Sequence, residues 1–269
     1  MKFAIILLST LLFLACSEGE HKPDEGQNKH QSKTQGHTEE KGATSIVEQK
    51  EFVHGDGSIC KAQSPINILS FTDSKEGVHD ITFHFNDAIE AVENLGHTVQ
   101  LDVSQGSTVT IDGETFDFKQ MHFHTPSEHL IDGVTFPMEM HMVHTLQGQK
   151  EGEETEYLVI GILFKMGKES PFINEFLGSI PEEAHMKKEV PAGVIKVADL
   201  ISEKPENVLD HYYHYRGSLT TPPYTESVRW YVSKHIFEGS PEQIKTILAI
   251  EGPNARQVQG LNDRELESN

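Results

Sequence analysis

Apolar side chains recur at every second position in one segment after another of this chain, and that period commits it to β-structure. Ile81-Thr82-Phe83-His84-Phe85, Thr98 to Val103, Thr108 to Ile111 and Thr115 to Phe118 all alternate, as strands do when one face is turned to a core. The last two flank Asp112-Gly113, a pair suited to a tight hairpin turn. Tyr157 to Phe164 is instead an unbroken apolar run with β-branched residues, which predicts a strand buried on both faces. Helical signals are few. Ser170-Pro171 opens one short helix, and Ser240-Pro241-Glu242-Gln243 opens another with a capping-box pattern and proline at the first helical position. The predicted body is β-rich, with helices at its margins.

The 269 residues include 42 acidic against 22 basic ones, a net charge of -20. An excess of that size argues against nucleic acid or an anionic membrane surface as partner. Residues 1–15, MKFAIILLSTLLFLA, join one basic residue to an apolar run from Phe3 to Leu14. The run is too short for a comfortable membrane span and reads as an export signal. Its ending, Phe13-Leu14-Ala15-Cys16, resembles a bacterial lipoprotein signal, in which the cysteine is lipidated and becomes the new N-terminus. The expectation is a protein of the bacterial cell envelope, periplasmic or surface-exposed, touching the membrane only through its lipid. Residues 16–45 are polar without apolar periodicity and read as a disordered tether, with His21, His30 and His37 part of a solvated spacer. Residues 46–269 contain no repeat and no second linker, and are read as one domain.

The histidines sort by strand parity. In Gln120-Met121-His122-Phe123-His124-Thr125-Pro126-Ser127-Glu128-His129, His122 and His124 share one face of a strand and Met121 and Phe123 the other. Glu139-Met140-His141-Met142-Val143-His144 also alternates, so His141 and His144 point to opposite faces and only one can join His122 and His124. Three imidazoles converging from neighbouring strands would hold a metal with an open fourth position. Gln120 and Glu139 stand two residues before His122 and His141, where each could accept the remaining ring N–H. The carboxylate on its own face favours His141, leaving His129 and His144 as structural residues. His122-x-His124-x3-Glu128 is also the spacing of a cupin metal centre, with the glutamate as ligand. That pattern expects glycine six residues before the first histidine, where Phe116 stands.

With four further segments these residues resemble the α-class carbonic anhydrases. The segments are Gln63-Ser64-Pro65-Ile66-Asn67-Ile68, Asn94-Leu95-Gly96-His97, Gly217-Ser218-Leu219-Thr220-Thr221-Pro222-Pro223, and the tail from Asn254 through Arg256 to Asn262. The resemblance runs from Gln63 to Arg264. It implies a β-rich α+β domain with a central twisted, mostly antiparallel ten-stranded sheet and short peripheral helices. It further implies Zn2+ held by His122, His124 and His141, and reversible hydration of CO2 to bicarbonate by attack of zinc-bound hydroxide. Thr220 then resembles a gatekeeper that passes a hydrogen bond to Glu128. Val143, Val159, Leu219, Val228 and Trp230, with Thr221 beside them, resemble the pocket that receives CO2. His97 resembles a proton shuttle, imidazole being the side chain whose ordinary titration falls near neutral pH. Asn254 resembles the residue whose backbone carbonyl orients His124, and Tyr215 a partner of His129. A homodimer is compatible with all of this.

The chain departs from the family pattern in places. The usual aromatic segment before the Gln-Ser-Pro motif is replaced by Glu51-Phe52-Val53-His54-Gly55-Asp56-Gly57, and Leu95 stands where a water-binding asparagine is common. Slow proton transfer at an intact hydration site is therefore expected. Tyr224 occupies the position where relatives carry the partner of a cysteine near Cys60, so Cys60 is expected to be a buried free thiol. Gln257 and Gly260 replace usual prolines. The alternative function is a non-catalytic zinc-binding envelope lipoprotein, which would have no use for the Thr220 and Glu128 pair or for an apolar pocket.

Overall fold

Alternation along the strands becomes a sheet whose two faces do different jobs. The structure is a computed structural model and describes residues 17–18, 52–53, 59–71, 75–86, 89–202 and 208–269. The signal segment, Cys16 and nearly all of the polar tether lie outside the described residues; within the tether, Ser17–Glu18 pairs antiparallel with Phe52–Val53.

The main sheet has 13 strands. Along its principal path they run Met186–Glu189, Ile89–Asn94, Val99–Val103, Glu114–His124, Met138–Leu146, Tyr157–Met166, Val228–Ser233, Tyr212–Gly217, Glu267–Ser268 and Lys75–Glu76. Ile81–His84, Thr108–Ile111 and Phe237–Gly239 join it off that path. Pairing is antiparallel except where Tyr157–Met166 meets Val228–Ser233 and Phe237–Gly239, and where Glu267–Ser268 meets Lys75–Glu76. The predicted hairpin closes with Ile111 opposite Glu114, and both turn residues, Asp112 and Gly113, have positive φ (52° and 84°). Asp and Gly tolerate that conformation, which matches the twist of the flanking strands.

Both predicted helices form, over Pro171–Leu177 and Pro241–Glu251. Ser170 and Ser240 each accept a backbone N–H at their N-termini, and Gln243 completes the capping box at the second. A third helix, Val197–Ser202, carries neither cap signal nor proline and has only six residues.

On one face of the sheet Met121, Phe123, Met140, Met142, Ile160 and Tyr231 pack against Phe172, Ile173, Phe176, Ile244 and Ile247 of the helices. The opposite face carries a smaller cluster that includes Ile66, Val143, Val159, Leu163, Val228 and Trp230. Neighbouring residues of one strand thus serve two separate apolar clusters in turn.

Cys60 is buried against Tyr224. It is disulfide-bonded, and no cysteine among the described residues is free, which corrects the expectation of a free thiol. Tyr224 removes the partner usual in relatives, not every partner: the chain has one other cysteine, Cys16, outside the described residues.

Candidate metal centre

Strand pairing brings the three histidines together. His141 stands opposite His122 and Glu139 opposite His124, across the antiparallel pair Glu114–His124 and Met138–Leu146. One ring nitrogen from each of His122, His124 and His141 lies within 4.8 Å of the other two. The ring centroids are 5.0 Å apart for His122 and His124, 5.2 Å for His122 and His141, and 4.6 Å for His124 and His141. His144 lies on the other face, stacked on Phe118 at 4.6 Å with Nδ1 directed at the carbonyls of Met142 and Leu158.

Behind the rings stands a layer of acceptors. Gln120 Oε1 lies 2.9 Å from His122 Nδ1, and Glu139 Oε1 lies 2.9 Å from His141 Nε2. Glu139 Oε1 is also 2.7 Å from His129 Nδ1, while Oε2 accepts the backbone N–H of Glu128 and His129 at 2.9 and 2.8 Å. Burial alone would raise the Glu139 carboxyl, but the adjacent His129 and His141 and their hydrogen bonds hold it well below the ordinary carboxylate range. His129 Nε2 meets the Tyr215 hydroxyl at 2.7 Å, and Tyr215 donates to Ser64 Oγ at 2.9 Å. A continuous polar chain therefore runs from Ser64 to His141 and fixes the ring of the third histidine.

Burial pushes all three rings towards their neutral form: His122 lies well below its usual range, His124 at about 4, and His141 is lowered too. Neutral imidazoles present the lone pairs a metal needs. Both ring nitrogens of His124, 3% exposed, and Glu128 Oε2 make no hydrogen bond of normal geometry. Buried polar atoms without partners are costly, and a cation shared by three imidazoles satisfies the one at His124; the donor set suits Zn2+. Asn254 supports His124 as the resemblance implied, its backbone acting on the ring, and its side chain adds a second support. Its side chain accepts from the Thr125 N–H at 3.0 Å and donates to the carbonyls of Phe123 and His97 at 3.1 and 2.8 Å, clasping the chain on either side of the ring.

Glu128 is buried with Oε2 3.6 Å from His124 Nε2 and 3.9 Å from His141 Nδ1. Burial pushes its carboxyl up to about 7, opposed by the adjacent His141 ring, the Arg256 N–H and the nearby Thr220 hydroxyl. A divalent cation among the three imidazoles favours the ionised form further. Thr220 is buried as well. Val143, Val159, Val228 and Trp230 form one apolar cluster beside the rings with Leu219 packed against it. A cleft of about 140 Å³ opens over the site, lined by Leu95, His97, Gln100, Gln120, His122, His124, Thr221 and Asn254 among others. His97 is exposed at its rim, with Nδ1 3.1 Å from the Leu95 carbonyl.

Two contributors were not singled out by sequence reasoning. Gln100 sits opposite His122; its polar side chain on the His122 face of an alternating strand was the available signal. Arg256 donates its backbone N–H to Glu128 Oε1 at 2.9 Å, its guanidinium reaches the Ser64 carbonyl and Gln63 Oε1, and it stacks over Tyr224 at 3.9 Å. Nothing local marks that role.

Gly217 allows the polar chain and the apolar wall to meet. A Cβ there would collide with Ser64 Oγ and come within 2.9 Å of Trp230 Cδ1 and Tyr215 Cε2. Gly217→Ala is expected to destabilise the fold by about 1–3 kcal/mol, the usual cost of overpacking. Denaturant unfolding of the variant checks this; a shift under about 0.5 kcal/mol would mean the contact is compliant.

Comparison with known proteins matches residues 54–269 to the family described as eukaryotic-type carbonic anhydrase. A carbonic anhydrase of Pectobacterium carotovorum is 36% identical over 214 residues, 78% of this chain and 82% of the relative. One from Neisseria gonorrhoeae is 34% identical over 268 residues, 97% of this chain and 94% of the relative. Among solved structures, the α-carbonic anhydrase of Thermovibrio ammonificans in complex with the inhibitor sulfanilamide superposes with a TM-score of 0.69 at 36% identity. That match covers 77% of this chain and 86% of the other.

Proposed function

The chain belongs to the eukaryotic-type carbonic anhydrase family, and on that premise we infer that it is a carbonic anhydrase catalysing the reversible hydration of CO2 to bicarbonate and a proton. The observation that carries the reading to the site is the convergence of His122, His124 and His141 beside an apolar wall.

His122, His124 and His141 are the residues that would hold Zn2+. A zinc ion there supplies Lewis acidity that brings a water into its reactive form near neutral pH, an effect for which carbonic anhydrase is itself the reference case. Thr220 donates its hydroxyl proton to buried Glu128, which leaves its own lone pairs to accept from the nucleophilic water and aim that oxygen. Val143, Val159, Leu219, Val228 and Trp230 offer CO2 a surface without competing hydrogen bonds. Glu139 and Gln120 keep the histidine rings in register. His97, at the rim, passes the released proton to solvent.

Stopped-flow CO2 hydration by a soluble form beginning near Thr44, with zinc measured on the same sample, tests the reading. Catalysis with about one catalytic zinc per chain supports it. Zinc without hydration above background would favour a metal-binding protein.

Leu95 in the cleft and the missing aromatic segment leave the water path to His97 poorly ordered, so proton transfer limits turnover. Imidazole buffer is expected to raise kcat at least about twofold by carrying the proton in place of the side chain. A kcat flat in imidazole concentration counts against this.

The same proposal includes anchorage to the bacterial envelope through lipidated Cys16, supported by the signal-like residues 1–15 and the polar segment that follows. A lipid thioether and a disulfide compete for one sulfur. Protein extracted from membranes is expected to begin at a lipid-modified Cys16. Intact mass checks this: an unlipidated chain short of two thiol hydrogens would favour the disulfide.

A further inference from the structure

A second histidine cluster satisfies the same geometry as the catalytic one. His79, His214 and Glu267 each offer a ligand atom within 4.8 Å of the other two, the same limit met by His122, His124 and His141. The two clusters lie on opposite faces of the sheet. Tyr215 turns its hydroxyl to His129 beside the catalytic rings, so His214, its neighbour on the same strand, faces the other way. There it stacks on Tyr231 at 4.2 Å.

Three distant parts of the chain supply this cluster. His214 and Glu267 stand directly opposite each other where the C-terminal strand pairs with Tyr212–Gly217. His79 precedes the strand Ile81–His84, its backbone N–H donating to the Tyr212 hydroxyl at 3.0 Å, and its ring lies 5.1 Å from that of His214.

The outer nitrogens are arranged as in metal-binding histidines. His214 Nδ1 donates to the Trp230 carbonyl at 2.8 Å, which leaves Nε2 as the lone-pair nitrogen; among the described residues nothing hydrogen-bonds to it. His79 Nδ1 lies 2.5 Å from Asp112 Oδ2, and its Nε2 lies 3.0 Å from Glu267 Oε2. A carboxylate or carbonyl behind each imidazole is the support that fixes tautomer and orientation in metal centres. Gln120 and Glu139 do the same behind His122 and His141. Burial also keeps the His214 ring neutral, pushing it down to about 4.

We propose that His79, His214 and Glu267 form a second binding site for a divalent transition-metal ion of the zinc type, with Asp112 orienting His79 and water completing the coordination. Two imidazoles and one carboxylate are a donor set zinc accepts, at about 2.0–2.2 Å from each ligand. The partly exposed Asp112 side of the cluster leaves a path from solvent. The competitor for this position is a proton: His79 between two carboxylates is raised above its ordinary range even though burial acts against it. The ion displaces that proton and staples residue 267 to residues 79 and 214, which ties the C-terminal strand into the sheet. This site does not rest on the catalytic reading.

Equilibrium dialysis of the full chain against Zn2+ at pH 8, followed by metal analysis, tests the proposal. Wild type is expected to hold one ion more than Glu267→Gln or His214→Ala, with CO2 hydration per folded molecule unchanged in both variants. Asp112→Asn is expected to weaken the same ion by about 10- to 100-fold. His141→Ala, by contrast, should lose a different ion and retain this one. His21, His30 and His37 are present in every variant, so ions held there cancel in the comparison. Glu267→Gln keeps the shape of the side chain, and its Zn2+-induced rise in Tm should vanish relative to wild type even if His214→Ala folds poorly. Equal stoichiometry and equal Zn2+-induced Tm shifts in wild type and Glu267→Gln would overturn the site and leave a protonated His79 held by two carboxylates.

Discussion

His141→Ala is expected to lower kcat/KM for CO2 hydration by about three orders of magnitude or more and to remove the catalytic ion, because two imidazoles no longer complete the site. The expectation rests on placement. His141 is buried, its ring centroid is 4.6 Å from that of His124, and its outer nitrogen is tied to Glu139. Truncation leaves Glu139 charged and still accepting from His129 and from the two backbone N–H groups, so the fold retains most of its polar chain. His144→Ala is the matched control three residues on. It removes a ring from the closed core, where it stacks on Phe118, and should cost stability while leaving activity per folded molecule intact. Stopped-flow rates with metal content and circular dichroism on both variants separate the two effects. Near-wild-type hydration by folded His141→Ala would remove the metal assignment.

Thr220→Val carries the second large effect. Valine keeps the shape and removes the hydroxyl, and kcat/KM is expected to fall about 100-fold while zinc content stays unchanged. The cause is lost orientation of the nucleophile, so kcat falls rather than KM rising. Glu128→Gln should lose a similar amount, since an amide can donate back to Thr220 and reverse its hydrogen bond. The two residues work through one hydrogen-bonded unit, so the double variant should be little worse than either single one. Additive losses in that cycle would mean that Glu128 acts through the His124 and His141 rings rather than through Thr220.

Several of these placements were readable from the chain. Strand parity alone separated His141 from His144 and put Glu139 behind the third ring, because a side chain's face on a strand follows from its position in the sequence. Asp112-Gly113, Ser170-Pro171 and Ser240-Pro241 marked a turn and two helix starts through local backbone preferences. The helix Val197–Ser202 escaped because six residues without a cap offer too little periodicity to read. The proposed pocket wall was legible only through family resemblance; as isolated residues Val143, Val159 and Trp230 look like ordinary core, and the structure packs them in one buried apolar cluster.

Local sequence determined which residues alternate, which face each histidine takes on its own strand, and where turns and caps fall, since these depend on neighbours within a few bonds. Tertiary structure decided which strands lie side by side. That order alone joins Ser64 to Tyr215 and His129 to Glu139, brings the Arg256 N–H to Glu128, and sets His79 against His214 and Glu267. The contact between His79 and Glu267 spans 188 residues. A periodic pattern states which face a side chain takes but not which strand will stand opposite, because that partner is selected by packing of the whole sheet and helix layer.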